Sequence, residues 1–487
     1  MTHPVVVVGG GLGGLAASIV LAAAGREVVL CEAGERLGGK AGVVEIDGVW
    51  FDTGPSVLTL PALLDDVFLL AGTSLADELT LLRPDPFFRY RFPDGVSLDV
   101  HHSPDDTRDS VRRALGADAA ADFDVFLAYT QRIWEAAAPW FVTGPAPSIA
   151  TLFGAAAQLH RLLPAIDPLS TLSGAIRSRV RSPHLRTLFQ RYATYNGSDA
   201  RTCPATLNCI AWVELGLGGF GVAGGMYAIV EAMERAARRL GVSVRVHSPV
   251  RRIRTERGRI VAVDLDDATL TTGAVVCNAD VAHLAVDLLE RPRGLRPPAT
   301  PSMSGWTAVV RARAADRRPH EALFPMDYSE EHADIFDRDR PPLEPTVYIC
   351  DQARAHDRPT WSDASPVFLM ANAPPEPRVG ARPEAVWSDL RLRVLSRAIA
   401  AGVIHPDDPV VWQRTPTALA SRFPGTRGSL YGAASNSRFA AFKRPPNRWS
   451  AIPGLYLASG SAHPGGGVPL CVQSGRLAAE ALLADRR

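Results

Sequence analysis

The first residues of the chain constrain its fold more than any other segment. Val5-Val6-Val7-Val8 runs directly into Gly9-Gly10-Gly11-Leu12-Gly13-Gly14, and small and apolar residues follow over 15–22. Four consecutive valines are typical of a buried parallel strand, and the small residues predict a helix packed close to a sheet. The glycines fit the G-x-G-x-x-G pattern, in which phosphate groups meet the N-terminus of a helix. This order predicts a dinucleotide site.

An acidic residue at the expected distance supports that prediction. A second strand is predicted over 27–32, and it ends at Glu32, eighteen residues after Gly14. An acid in this place binds ribose hydroxyl groups, while Gly9 permits the tight turn, Gly11 the approach of a pyrophosphate and Gly14 close helix–strand packing. The alternative is a glycine-rich helix start with an unrelated surface glutamate, and it leaves the order of the elements unexplained.

Charge and cysteine content exclude other classes. The 487 residues correspond to roughly three domains, and they carry 52 basic and 51 acidic side chains. This balance gives no support to nucleic-acid binding. The six cysteines show no C-x-x-C pair and no metal-ligand spacing, so we predict reduced core residues, a cytoplasmic protein and no metal site.

The sequence predicts no transmembrane helix. One long stretch without Asp, Glu, Lys or Arg covers 136–160, and prolines interrupt it. The N-terminus lacks the basic region of a signal peptide, and its apolar run is explained by the strand and helix. One apolar set either dips into a bilayer surface or lines an apolar core; it comprises Trp134, Trp140, Phe141, Ile149, Leu152 and Phe153.

Two later blocks return to the same fold. Gly224-Gly225-Met226 opens a predicted helix, and strands are predicted over 242–246 and 275–279 with a hairpin around Glu256-Arg257-Gly258. Glu231 with Arg235, and Glu234 with Arg238, are spaced to pair along that helix. A strand over 454–459, a glycine-rich loop over 460–469 and a helix over 470–483 end the chain. The loop is a second glycine turn at a helix start.

We therefore predict an α/β protein with a Rossmann-like domain and an inserted α+β substrate domain. The dinucleotide-binding domain is discontinuous, over 1–84, 221–290 and 445–487. The insertions are a helix-rich region over 85–220 and a mixed region over 291–444, with candidate strands at 306–311, 346–350 and 367–371. Gly216–Gly221 also fits the glycine pattern, but no acid follows at the right distance, so we predict a loop there.

Several motifs resemble those of known flavoenzymes. Gly38-Gly39-Lys40-Ala41 and Phe51-Asp52-Thr53-Gly54-Pro55-Ser56 resemble segments that mark an FAD site in amine-oxidase-like flavoproteins. With Gly224-Gly225-Met226-Tyr227, Cys277-Asn278-Ala279-Asp280-Val281 and Ala462-His463-Pro464-Gly465, they resemble the bacterial-type phytoene desaturase family of carotenoid oxidoreductases. Ser459-Gly460 stands where amine oxidases have Gly-Asp, which weakens an amine oxidase interpretation.

The likeness is greatest to the 1-hydroxycarotenoid 3,4-desaturases, which include hydroxyneurosporene desaturases. Five segments carry it: residues 191–197, 422–426, 428–432, 463–470 and 474–479. The resemblance implies that FAD is held by Gly9, Gly11, Leu12, Gly14, Glu32, Ala33, Gly38, Gly39, Lys40, Gly54, Pro55, Val250, Gly460, Gly467, Val468 and Pro469. Lys40 either adds charge near a phosphate or is a solvated surface lysine. The loop over 460–469 is expected to place its backbone against the flavin ring.

The implied reaction is desaturation of a CH–CH bond. Two hydrogens leave C3–C4 of an acyclic, 1-hydroxylated C40 carotenoid, as a hydride to flavin N5 and a proton to a weak base or water. The candidate catalytic residues are His463, Glu214, Arg191 and Tyr195. The alternative for His463 is a loop histidine bonded to backbone, and for Glu214, as for Asp199, it is a solvated loop acid. Arg191, Tyr192 and Tyr195 either line the tunnel or bond a substrate hydroxyl, or they are core residues.

The substrate also predicts where the protein works. A C40 carotenoid is about as long as the hydrocarbon core of a bilayer is thick, roughly 30 Å, so we expect peripheral binding to the inner face of the cell membrane. The electron acceptor is oxygen or a quinone. Alternative functions are a phytoene- or neurosporene-type desaturase, a flavin-dependent carotenoid isomerase, and a prenyl-binding module like the GDP dissociation inhibitors. The intact glycines and Glu32 argue against the last.

Overall fold

The computed structural model of the protein describes residues 3–147, 165–437 and 440–485. Its amino end follows the predicted order. Strand β1 (Val5–Val8) is buried along its whole length, and helix α1 (Leu12–Ala23) begins directly after Gly11. The strand, glycine turn and helix predicted from the first residues are therefore confirmed.

The remaining elements have the following bounds. The further helices are α2 (Ala62–Leu70), α3 (Leu75–Glu78), α4 (Pro104–Leu115), α5 (Ala117–Phe141), α6 (Leu172–Arg179), α7 (Pro183–Gln190), α8 (Cys209–Leu215), α9 (Tyr227–Arg239), α10 (Val281–His283), α11 (Tyr328–Phe336), α12 (Gln352–His356), α13 (Glu384–Ala400), α14 (Pro416–Arg422), α15 (Ala440–Lys443) and α16 (Val468–Ala484), with 3₁₀ helices over Arg191–Asn196 and Ala205–Asn208 and a π-helical turn over Leu284–Leu288. The further strands are β2 (Val28–Cys31), β3 (Val43–Ile46), β4 (Val49–Asp52), β5 (Leu81–Leu82), β6 (Phe88–Arg91), β7 (Ser97–Val100), β8 (Gly221–Val222), β9 (Ser243–Arg245), β10 (Arg252–Glu256), β11 (Arg259–Asp264), β12 (Thr269–Thr271), β13 (Val275–Cys277), β14 (Ser304–Arg313), β15 (His320–Leu323), β16 (Val347–Asp351), β17 (Ala364–Ala373), β18 (Val410–Arg414) and β19 (Leu455–Leu457).

A parallel sheet joins distant parts of the chain. Its strands stand in the order β19-β13-β1-β2-β9, with β1 between β13 and β2. The strands predicted near 242–246, 275–279 and 454–459 all belong to it. Cys31 and Cys277 lie in β2 and β13 as predicted, and burial raises their thiol pKa values to about 11 and about 12. The bounds proposed for the discontinuous domain stay a prediction.

Two helices of this domain approach each other at glycines. A Cβ on Gly13 in α1 would lie 1.8 Å from the carbonyl oxygen of Ala458, and one on Gly475 in α16 would lie 2.0 Å from the carbonyl oxygen of Gly13. Any larger residue would force these backbones apart. The glycine-rich turns before α1 and α16 consequently begin neighbouring helices.

A mixed sheet dominates the inserted regions. Its order is β18-β14-β17-β16-β15-β6-β7, and β14 pairs with β17 over ten residues. The strands predicted at 306–311, 346–350 and 367–371 are confirmed as parts of β14, β16 and β17. Strands β6 and β7 come from the region expected to be helix-rich, so both insertions contribute to one sheet.

Two local predictions have different outcomes. Arg238 pairs with Glu234 as expected, with Nε donating to Oε1 at 2.8 Å. Arg235 does not pair with Glu231 and instead donates to Glu78 at 3.4 Å, because Glu78 at the end of α3 lies within reach of this face of α9. Gly216–Gly221 forms the predicted loop and leads into β8.

Buried histidines predict acid sensitivity. His320, His332 and His356 are nearly inaccessible, and burial lowers the pKa of each, that of His332 to about 4. Between the ordinary value of 6.5 and about 4 the unfolded chain binds a proton that folded His332 rejects, so the free energy of unfolding should fall by about 3 kcal/mol as the pH falls through this range. Urea unfolding at a series of pH values measures this. His332→Asn should reduce the slope, and an unchanged slope would contradict the assignment.

Candidate active site

The nucleotide end of the site is built around Glu32. This carboxylate follows β2, and its two oxygens accept the backbone N–H groups of Gly10 at 2.7 Å and Gly34 at 2.8 Å. It is thereby fixed beside the turn before α1, where Gly9 has a φ of +96°. Ala33 follows Glu32 at the surface, and partly buried Val250 lies two residues beyond Ser248, whose N–H donates to the Glu32 carbonyl at 2.8 Å. These residues suit the adenosine half of a dinucleotide.

Glycine backbone continues from this end toward the interior. The N–H of Gly38 donates to the Gly10 carbonyl at 2.8 Å, and both Gly38 and Gly39 have positive φ. A Cβ on Gly39 would lie 3.5 Å from Cα of Gly11, and one on Gly54 would lie 2.3 Å from the Lys40 carbonyl oxygen. The structure therefore brings the backbone of Gly39 against Gly11 and that of Gly54 against Lys40, which forms one cradle of glycine-rich backbone.

The far end of the cradle meets the turn before α16. Gly467 has a φ of +108°, and a Cβ added there would meet no protein atom within 4 Å. Gly467, Val468 and Pro469 line the same cavity as Gly54 and Pro55. The open space beside Gly467, at a helix N-terminus, fits a flat ring with partial negative charge. The residues present thus fit the adenosine end and the ring end of FAD.

Two cations, the half-buried Lys40 and the buried Arg444, lie near this ring end. The Lys40 ammonium donates to the carbonyl oxygens of Ser429 and Leu430, both at 2.9 Å, and burial lowers its pKa. It is therefore not a solvated surface lysine. Arg444 donates to the carbonyl of Gly460 at 3.2 Å, and burial lowers the pKa of its guanidinium to about 10. Both cations add positive potential where a reduced flavin carries negative charge.

Asn278 is a site residue that the sequence did not single out. Its Nδ2 donates to the Ala458 carbonyl at 2.7 Å, and its Oδ1 lies 2.6 Å from where a Cβ on Gly11 would be. It therefore ties the ends of β13 and β19 to the first glycine turn. Its place in the motif over 277–281 is the sequence feature that marks Asn278 as a candidate.

A cavity of about 1240 Å³ extends from the ring end of the cradle. One wall is the mixed sheet, where Tyr348, Phe368 and Met370 face the cavity. The intervening residues Ile349 and Leu369 pack on the opposite face with α13, as the period-two alternation of strands requires. Most of the remaining wall is apolar, including Trp134, Phe141, Leu169, Ile210, Val213 and Phe442.

The cavity wall holds one cluster of polar side chains that contains three of the predicted catalytic residues. Tyr195 and Tyr192 both donate to the Glu214 carboxylate, Tyr192 at 3.0 Å. Arg191 Nη1 donates to the hydroxyls of Tyr195 at 3.2 Å and Tyr90 at 2.9 Å. Arg191 and Tyr195 line the cavity, whereas Glu214 lies behind them in α8 and is 3% exposed. The alternative that Glu214 is a solvated loop acid is therefore wrong.

The surroundings keep Arg191 charged and Tyr195 neutral. Burial alone would lower the pKa of Arg191, but Tyr195, Tyr90 and Glu214 raise it well above its ordinary value. Its guanidinium also lies 4.6 Å from the centre of the Phe88 ring. Burial, opposed by Arg191 and reinforced by Glu214, raises the pKa of Tyr195 well above 10. Tyr195 thus presents a neutral hydroxyl group, which donates a hydrogen bond to the Glu214 carboxylate.

The other two acid–base candidates are engaged in structural contacts. The ring Nε2 of His463 lies 3.0 Å from the Gly144 carbonyl oxygen, to which it donates, and burial lowers its pKa. His463 lines the cavity. Its bond to the Gly144 carbonyl is the backbone contact expected if His463 is a structural loop histidine and not a catalytic base. Asp199 is 2% exposed and accepts from Arg201 at 2.7 Å, so it is not a solvated acid either.

Comparison with known proteins places the fold in a family. The profile described as flavin containing amine oxidoreductase matches residues 12–483. The chain belongs to this family. Cyclohexylamine oxidase from Brevibacterium oxydans has the same fold, with a TM-score of 0.60 and 14% identity over 100% of both chains. The predicted Rossmann-like fold and the FAD cofactor are therefore confirmed.

Sequence relatives narrow the position within the flavin-containing oxidoreductases. Hydroxyneurosporene desaturase of Rhodobacter capsulatus is 35% identical over 99% of this chain and 98% of its own length. The 1-hydroxycarotenoid 3,4-desaturase of a Flavobacterium species is 28% identical over 98% of each. The predicted resemblance to carotenoid desaturases is confirmed, and the protein is an FAD-dependent oxidoreductase of that group. The prenyl-binding alternative loses support.

Proposed function

We propose that the protein desaturates C3–C4 of an acyclic, 1-hydroxylated C40 carotenoid. The observation that carries the proposal is the largely apolar cavity that begins at the FAD cradle and is bordered by the polar cluster around Arg191. An apolar polyene fits such a wall because it offers few hydrogen-bonding groups. The relatives named as desaturases of hydroxylated carotenoids support the choice of substrate.

Bound FAD supplies the oxidant, which accepts a hydride from the substrate. Removal of a hydride leaves a cation on a conjugated chain, and its neighbouring C–H bond is then strongly acidic. We assign the proton to the Tyr195 oxygen, while the Tyr195 hydroxyl proton passes to Glu214. The bond from Arg191 to Tyr195 holds that oxygen in place at the cavity wall. Tyr195 and Glu214 together are the weak base of the proposed reaction.

Expression in cells that make lycopene tests the proposed function. The gene is expressed with and without a carotenoid 1,2-hydratase, and the carotenoids are analysed by mass and absorption spectrum. We expect products with two hydrogens fewer and red-shifted bands, mainly when the hydratase is present. Unchanged mass with a small spectral shift would identify an isomerase, and conversion of phytoene itself would identify a desaturase of earlier intermediates.

We further propose that the cavity mouth touches the membrane that dissolves the substrate. Oxygen or a quinone would then take the electrons from the reduced flavin. Leu169 and Phe442 line the cavity and are 73% and 42% exposed. Phe442 also contacts Phe141 edge to face at 5.9 Å. Within the described residues, no helix is long and apolar enough to cross a bilayer. Ile149, Leu152 and Phe153, also considered for this contact, lie outside the described residues.

Removing these two apolar side chains should weaken membrane binding. The double variant Leu169→Ser/Phe442→Ser should bind liposomes at least about tenfold more weakly, because each side chain contributes roughly 1.5–3 kcal/mol when fully buried in an apolar medium. Sedimentation with liposomes measures the bound fraction. Val379→Ser is the control, since Val379 is 90% exposed and is not part of the cavity wall. Equal binding by wild type and double variant would contradict the assignment of this surface.

A further inference from the structure

Two buried hydroxyl groups in the cavity wall have no hydrogen-bond partner. Tyr328 and Thr346 are 3% and 6% exposed, and both line the cavity. Within the part of the chain that the structure describes, neither Tyr328 Oη nor Thr346 Oγ1 makes a hydrogen bond of good geometry, and the nearest acceptor to the Thr346 hydroxyl is the Glu331 carboxylate. Thr206 lines the same cavity, but its hydroxyl donates to the Ile166 carbonyl at 2.7 Å. Buried hydroxyls are normally satisfied, so the first two lack a partner that a ligand would supply.

The fold holds these two hydroxyls on one wall. Tyr328 is the first residue of α11, and Glu331 follows one turn later. The Glu331 carboxylate accepts the N–H of Thr346 at 2.7 Å and the Nδ2 of Asn372 at 2.7 Å. Because these bonds join α11 to the edge of β16 and to β17, Tyr328 and Thr346 are fixed relative to each other.

Packed side chains connect the pair to the proposed proton acceptor. Tyr328 contacts Phe324 at 5.4 Å between ring centres, and Phe324 stacks on Tyr90 at 5.7 Å. The Tyr90 hydroxyl accepts from Arg191, which also binds Tyr195. Thr346 lies two residues before Tyr348 on the same face, about 7 Å along the strand direction. The unpartnered hydroxyls and the Arg191–Tyr195 pair therefore belong to one connected part of the cavity wall.

We propose that Tyr328 and Thr346 form a subsite that binds the hydroxyl group on C1 of the carotenoid. The inference rests on the proposed function. A tertiary alcohol both donates and accepts a hydrogen bond, as do the Tyr and Thr hydroxyls. C1 is two bonds from C3, so a hydroxyl held here places C3 and C4 near Tyr195 and the flavin. A carotenoid without the hydroxyl leaves both protein groups unsatisfied, which selects against it.

Paired substrates test the subsite. The holoenzyme and its Thr346→Val and Tyr328→Phe variants are assayed with vesicles that contain either 1-hydroxyneurosporene or neurosporene. We expect each variant to lower the ratio of kcat/KM values, hydroxylated over non-hydroxylated, by about tenfold, as for the loss of one buried hydrogen bond. Thr206→Val is the matched control, because it makes the same substitution in the same wall at a hydroxyl that is already satisfied. Its ratio should equal that of the wild type.

The outcomes separate the two proposals. A wild type that converts both carotenoids, with the same ratio in all variants, overturns the subsite and leaves the desaturase intact. Equal losses on both substrates show that the two residues only support the wall, which also overturns it. A wild type that converts neither carotenoid overturns the proposed function itself. A selective loss on the hydroxylated substrate supports the subsite.

Discussion

Replacing Gly14 by Ala should yield a protein without bound flavin and with activity reduced at least about a hundredfold. A Cβ at this position would lie 2.1 Å from the Gly9 carbonyl oxygen, so the turn that approaches the pyrophosphate would have to open. The obstacle is backbone, and rotation of a side chain provides no relief. The flavin absorbance of the purified protein relative to its protein absorbance measures the loss.

A matched variant at the other end of the same helix controls for general damage. Gly25 follows α1 with a φ of +75°, and a Cβ there would meet no atom within 4 Å. Gly25→Ala strains the backbone by about 1–2 kcal/mol but leaves the cradle untouched. It should keep its flavin. A fully flavinated Gly14→Ala variant would show that the first glycine turn is not the nucleotide site.

Replacing Glu214 by Gln should lower kcat about a hundredfold or more while the flavin content stays at the wild-type level. The variant keeps the shape of the side chain but removes the carboxylate that accepts from Tyr195 and Tyr192. General base groups typically contribute a factor of about 10² to 10⁴. Tyr195→Phe should have a comparable effect, because it removes the oxygen that we place between substrate and carboxylate. Initial rates with a hydroxylated carotenoid in vesicles measure both.

Tyr129 provides the control for loss of a buried tyrosine–carboxylate pair. Its hydroxyl donates to Asp167 Oδ2 at 2.8 Å, it is 4% exposed, and it is not part of the cavity wall. Tyr129→Phe should therefore affect stability more than rate. If Glu214→Gln retained half of the wild-type rate, the proton acceptor would have to be another group, with His463 the next candidate in the wall.

The sequence predicted the strand, glycine turn, helix and acid at the amino end well because their constraints are local. The valines of β1, the glycines before α1 and the acid after β2 occupy fewer than forty consecutive residues, and each has a strict backbone requirement. The glycine turn before α16 was predicted for the same reason. The close packing of α1 on α16 at Gly13 and Gly475 could not be predicted from the sequence, because it depends on contact between the two ends of the chain.

The substrate side was predicted less well because its contacts join distant segments. Glu214 looked like a loop acid, and only the fold shows it buried behind Tyr195. Tyr328 and Thr346 carry no motif, and the cavity they share exists only once β16 and α11 are placed. Strands β6 and β7 of the region expected to be helix-rich were not predicted, because they are short and their apolar residues alternate with charged ones such as Arg89 and Asp99.

Anaerobic mixing of the holoenzyme with a 1-hydroxylated acyclic carotenoid in vesicles tests the central claim most directly, namely that the flavin in this cradle oxidises a carotenoid in this cavity. We predict that the flavin absorbance bleaches while the carotenoid gains one double bond for each flavin reduced. A carotenoid that changes while the flavin stays oxidised, or a flavin that no carotenoid reduces, would contradict it.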